Sequence, residues 1–154
     1  MNIPSGKKAY FLSDQHFGAP TPALSYPREQ KFVKLLDQIK KDAAVIFLLG
    51  DLFDFWFEYE TVIPKGFTRI LGKLAEISDS GIPIHFFVGN HDLWMNDYFE
   101  KELQIPVYHS SRVFNLNEKE FFIAQTVKFS TSGFTNTIEL LGTAIWIKTG
   151  KNCQ

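Results

Sequence analysis

Three short runs of uninterrupted apolar residues, each breaking off into polar side chains, constrain the fold of this chain more than any other feature. Residues 9–13 (AYFLS) lead into Asp14, Gln15 and His16. Residues 45–49 (VIFLL) lead into Gly50, Asp51 and Asp54, and residues 84–88 (IHFFV) into Gly89, Asn90, His91 and Asp92. A strand with one wet face alternates apolar and polar residues, whereas unbroken apolar runs belong to strands covered on both faces. Helical patterns separate the runs. Phe32, Leu35, Leu36 and Ile39 predict an amphipathic helix over about residues 28–41, after a loop holding Gly18, Pro20, Pro22 and Pro27. Phe67, Ile70, Leu71, Leu74 and Ile77 predict a second helix, stopped near Gly81 and Pro83. The order strand, helix, strand, helix, strand predicts an α/β fold with a parallel sheet.

Beyond the third run the texture changes. Val107 and Tyr108, residues 113–116 and residues 121–124 read as shorter strands, with Asn117, Glu118 and Lys119 as a hairpin turn. From Gln125 onward the chain is rich in Thr, Ser, Asn and Lys and carries no Asp or His. Only residues 139–147 offer a further element there, interrupted by Gly142.

The carboxyl ends of parallel strands share one edge, and ligands bind along it. Asp14, His16, Asp51, Asn90, His91 and Asp92 are therefore expected to converge. Carboxylate, imidazole and amide oxygen together suit a divalent ion, with Mn, Mg, Fe and Zn all open. A paired site about 3.5–4 Å across can clamp both the attacking and the leaving oxygens of a phosphoryl transfer. The net charge of −1 excludes a general attraction to nucleic acid, so phosphate binding must be local.

Asp14-x-His16, Gly50-Asp51-x-x-Asp54 and Gly89-Asn90-His91-Asp92 resemble, in order and after the right strands, the first three signature blocks of the calcineurin-like metallophosphoesterases. The likeness covers residues 9–124. Within that family, residues 50–59 (GDLFDFWFEY), 62–67 (VIPKGF) and 89–95 (GNHDLWM) resemble the UDP-2,3-diacylglucosamine hydrolases, in their Bacteroidetes-type form.

The resemblance implies an αββα sandwich and two divalent ions, with Mn foremost. It implies that Asp14 and His16 bind the first ion, Asp51 bridges, Asn90 binds the second, and His91 is the catalytic residue beside the phosphate. The implied reaction is hydrolysis of a nucleotide-linked lipid precursor to 2,3-diacylglucosamine 1-phosphate and UMP in lipid A synthesis. Asp54 and Asp92 are each either partners that orient a ligand or helix caps. Phe53, Phe55, Trp56, Phe57 and Tyr59 are either core or an apolar surface for acyl chains, with Phe55 and Trp56 as substrate candidates. His85, inside a strand, is expected in the core with a hydrogen bond, and His109 exposed.

The family pattern continues with a His-Gly-Asp block and a Gly-His-x-His block, and neither is present. Gln125, Thr126 and Val127 stand where the first is expected, and the only histidines are His16, His85, His91 and His109. The expectation is a truncated or frameshifted copy: residues 1–124 as the N-terminal part of the domain, and 125–154 as an atypical tail. The second metal site would then be incomplete, the second sheet cut short and apolar surface on the first sheet left bare. The alternatives are a phosphoesterase of another substrate and a non-catalytic remnant with a partial metal site.

Cys153 is the only cysteine, which excludes an internal disulfide and fits a reducing compartment. Lys7 and Lys8 precede an apolar stretch too short for a signal peptide, and no run approaches the ~20 apolar residues that span a bilayer. The expectation is a cytoplasmic protein with peripheral contact at the inner membrane and no nucleic-acid partner.

Overall fold

The structure is a computed structural model that describes residues 1–125, 136–140 and 143–149. Four strands, β1 (Lys8–Leu12), β2 (Ala43–Leu49), β3 (Ile84–Phe87) and β4 (Val107–Tyr108), form a parallel sheet in chain order. Helices α1 (Pro22–Ile39), α2 (Thr68–Asp79) and α3 (Tyr98–Leu103) connect them. Every crossover steps the same way across the sheet, so right-handed connections place all three helices on one face.

The side chains of β2 show how both faces are used. Ile46 and Leu48 point to the helices and pack with Phe32 and Leu36 of α1, Ile70 and Leu74 of α2 and Phe99 of α3. Val45, Phe47 and Leu49 point the other way, onto a second sheet. That sheet is antiparallel in the order β5-β6-β8-β7, from β5 (Arg112–Leu116), β6 (Lys119–Gln125), β7 (Asn136–Leu140) and β8 (Thr143–Thr149). The layers are therefore helices, parallel sheet, antiparallel sheet.

The second sheet does not stop at β6 but continues through β8 and β7. The bare apolar surface expected on the first sheet is absent at β2: Val45, Phe47 and Leu49 are at most 1% exposed, covered by Phe114 and Leu116 of β5 and Phe121 and Ile123 of β6. His85 lies in this layer as expected, stacked on Phe47 with Nδ1 3.0 Å from the Tyr108 hydroxyl. His109 is exposed.

Two local expectations need correction. The helix predicted over 28–41 begins at Pro22, because Thr21 caps it by accepting from Leu24 N–H and Pro22 needs no N–H in the first turn. Pro27 also lies inside it. The six-residue α3 was not predicted; Phe99 and Leu103, one turn apart, form its buried side. No helix among the described residues is long and apolar enough to cross a membrane. Thr126, Val127 and Cys153 lie outside the described residues.

Candidate metal centre

The candidate residues lie where β1, β2 and β3 leave the sheet, and backbone pairing carries on past the strand ends. Asp14 N–H donates to Gly50 O, His16 N–H to Asp51 O at 2.9 Å, and Phe17 N–H to Leu52 O at 2.9 Å. Asp54 N–H returns a bond to Phe17 O. These contacts hold Asp14, His16 and Asp51 in the left-handed region, at φ of 56°, 45° and 52°. Such conformations cost about 1–3 kcal/mol each and persist only when the surroundings impose them.

Glycine lets the second and third loops approach. A Cβ on Gly50 would stand 2.8 Å from Gly89 Cα, and one on Gly89 would collide with the Asp51 carboxylate and its backbone nitrogen. With no side chain at either position, the two backbones touch.

Two carboxylates then fasten these loops reciprocally. Asp51 Oδ1 accepts from His91 N–H at 3.0 Å. Asp92, fully buried, accepts from Gly89 N–H at 2.5 Å, Leu52 N–H at 2.9 Å and Asp51 N–H at 3.3 Å. Burial pushes the Asp92 carboxyl up to about 6 and the charge of Asp51 adds to this, against the opposing effect of the three N–H groups. Asp92 is thus neither a helix cap nor open to a substrate; it ties the loops together from behind.

Asp54 is not a helix cap either, since the residues after it are not helical. Its carboxylate lies 3.4 Å from His16 Nδ1 and 3.5 Å from His91 Nδ1. The two imidazoles meet edge to face with centroids 4.6 Å apart. His91 Nδ1 lies 2.8 Å from Asp54 O. A carbonyl only accepts, so Nδ1 carries the proton and Nε2 is left free to act.

Two groups of donors result. In His16, Asp54 and His91, and again in Asp14, His16 and Asp51, the ligand atoms lie within 4.8 Å of one another. Ligand bonds to a divalent ion run about 2.0–2.2 Å, so small rotations would close either group on one ion. His16 belongs to both groups. Asn90 is on the same loop as His91 and exposed. Carboxylate with imidazole is a donor set that suits a divalent transition metal or Mg.

The aromatic segment divides. Trp56 is fully buried with its ring against Phe53 at 4.4 Å and Phe99 at 5.5 Å, and its Nε1 donates to Glu58. It is core, not a substrate contact. Phe55 is 57% exposed and lies 5.9 Å from the ring of Trp94, itself half exposed. Beside them Phe55, Phe57, Tyr59, Val62, Ile63 and Pro64 line an open apolar cavity of about 380 Å³.

One contributor gave no sequence signal. Arg28 of α1 donates to His16 O at 2.8 Å and Ala19 O at 2.6 Å. An arginine on a helix reads as a solvated charge, and nothing in its neighbours marks it otherwise.

The sequence pattern of the calcineurin-like phosphoesterases matches residues 7–148, nearly the whole chain. The chain belongs to the calcineurin-like phosphoesterase family. Members of this family depend on divalent metals, and the two donor groups at the sheet edge fit that requirement. This family member is 46% identical over 117 residues to the UDP-2,3-diacylglucosamine hydrolase of Porphyromonas gingivalis, covering 76% of this chain and 45% of that protein. It is 28% identical over 120 residues to the enzyme of the same name from Haemophilus influenzae, covering 76% and 47%. The chain thus spans about half the length of the curated relatives it matches. The structure of the Pseudomonas putida nuclease MPE overlays 68% of this chain and 48% of that one, with a TM-score of 0.47 and 21% identity.

Proposed function

We propose that this phosphoesterase hydrolyses the pyrophosphate of UDP-2,3-diacylglucosamine, releasing UMP and the acylated sugar 1-phosphate. The observation that carries the reading is the pair of carboxylate–imidazole groups sharing His16 at the carboxyl edge of the parallel sheet. The substrate class rests on the 46% identity to the Porphyromonas gingivalis hydrolase. Asp14, His16 and Asp51 would hold one divalent ion, and Asp51, Asn90 and Asp54 would serve a second, with Mn the ion we favour. Bound there, such ions supply Lewis-acid chemistry: they polarise phosphoryl oxygens and lower the pKa of water.

The chain's own residues do the rest. Asp51 and Asp92 fix the spacing of the loops. His91 presents Nε2 at the site, placed to donate to the leaving phosphate oxygen when that nitrogen also carries a proton, while Asp54 O accepts from Nδ1–H. Phe55, Leu93 and Trp94 are all exposed on the adjoining loops. They would meet acyl chains and rest peripherally on a membrane surface, with the protein on its cytoplasmic side.

Manganese titration calorimetry, followed by hydrolysis of the acylated UDP-sugar against bis(p-nitrophenyl) phosphate, tests this. Two tightly held ions and preference for the UDP-sugar are expected, and Asp51→Asn should lower turnover by at least about 100-fold. Turnover of the simple diester alone would move the assignment to another substrate. Gln125, Thr126 and Val127, standing where the family's His-Gly-Asp block is expected, favour a second reading, a binding module that keeps one metal site, for which a single weak ion is expected. We also propose a boundary after Ala124 for the tail. The family match runs across it, so translating all frames beyond the Ala124 codon is the check.

A further inference from the structure

We propose that Arg28 is a positioning residue for the metal centre, setting the His16 ligand of the first ion; this rests on the metal reading above. The turn that carries His16 is held from two sides. Its N–H groups go to the β2 extension, from Asp14, His16 and Phe17 to Gly50, Asp51 and Leu52. Two of its carbonyls go the other way: one nitrogen of the Arg28 guanidinium bridges His16 O and Ala19 O, the two ends of the turn.

Ser25, three residues earlier on the same helical face, accepts from Gly18 N–H at 2.7 Å. The helix supplying both groups is anchored by Phe32, Leu36 and Ile39 in the core, so it is a rigid support. Arg28 Nε is buried with no hydrogen-bond partner among the described residues. The head group is thus committed inward to two backbone carbonyls, and surface solvation does not account for its position.

The carbonyl that Arg28 holds belongs to the residue whose ring matters. Fixing His16 O fixes the rotation of the peptide after His16, in a residue already at φ 45°. The ring direction relative to Asp14 and Asp51 on one side, and Asp54 and His91 on the other, follows from it. Because His16 would hold the first ion, loosening it should weaken that ion chiefly. Losing Asp54 should instead weaken chiefly the second.

The test is Mn²⁺ titration of the purified chain at a temperature where circular dichroism shows every variant folded. Arg28→Met is expected to lower affinity at the His16 site by about 10–100-fold, the usual effect of losing a ligand's support. Arg28→Lys should recover only part, since an ammonium cannot hold two carbonyls in a guanidinium's fixed geometry. Leu36→Val, which loosens the same helix without touching the turn, should leave Mn²⁺ affinity within about twofold of wild type. The proposal is overturned if Arg28→Met binds the first ion as tightly as wild type, or if Leu36→Val weakens it equally. A wild-type chain that binds no Mn²⁺ would remove the metal reading itself, and this proposal with it.

Discussion

In the parallel sheet, β1, β2 and β3 each leave into a loop bearing carboxylates or imidazoles, whereas in the antiparallel sheet β5 returns as β6 after two residues, Asn117 and Glu118. The cause is connectivity. A parallel neighbour needs a long crossover, so a strand end there has room for a turn and a cluster of side chains. An antiparallel neighbour needs only a tight hairpin, which leaves nothing to converge. The lesson is a division of labour. The second sheet supplies cover for the first, and the first supplies the site. Four substitutions test whether that division is real.

The largest effect is expected at Phe47, fully buried between the sheets and stacked on Phe11 at 4.8 Å. Phe47→Ala should lower unfolding stability by about 3–5 kcal/mol in urea titrations, while the molecules still folded bind Mn²⁺ as before. Loss of metal affinity in that variant would break the comparison. Gly89→Ala should do the reverse. Its Cβ has no space beside Asp51. Forced displacement should cost about 1–3 kcal/mol and also abolish the Mn²⁺ heat in calorimetry.

His85 offers a test by pH. Burial lowers its pKa below the usual 6.5, and the ring packs against Phe47 and Phe114. Between the lowered folded value and 6.5 the unfolded chain binds the extra proton, so stability is full above pH 6.5 and falls as pH drops through that window. His85→Phe keeps a ring in place and should flatten this acid limb of melting temperature against pH. An unchanged limb would show that the loss begins elsewhere. The smallest effect is expected at the hairpin. Glu118 holds φ 64°, a conformation glycine adopts freely. Glu118→Gly should raise stability by about 0.5–1 kcal/mol and leave metal binding untouched.

Much of the first sheet was legible because unbroken apolar runs and strand-end polar clusters are local signals. Asp14, His16 and Asp51 could be grouped from strand order alone, and the hairpin turn from its position between two apolar runs. What escaped depends on distant parts of the chain. The start of α1 was hidden because prolines at 22 and 27 read as loop, although Thr21 before Pro22 is itself a helix-start signal. Trp56 reads as either core or substrate contact because its segment holds five aromatics, and only packing against α3 sends it inward while Phe55 stays out. For Asp54 the sequence leaves a cap and a ligand-orienting partner equally open, and only folding, which sets it between two imidazoles from different loops with no helix after it, removes the cap. Arg28 could not be found, because its partners are carbonyls, which every residue has.

The contact between Gly50 and Gly89 limits how this centre can change over generations. No residue is smaller than glycine, so replacement at one position cannot be rescued by trimming the other, and a saturation library should return glycine at both. The width between the second and third loops is therefore closed to stepwise adjustment by point mutation. Insertions and substitutions farther out, in the segments around Phe55 to Pro64 and after Asp92, remain open. Selection for a new substrate would act on those rims and inherit the centre unchanged.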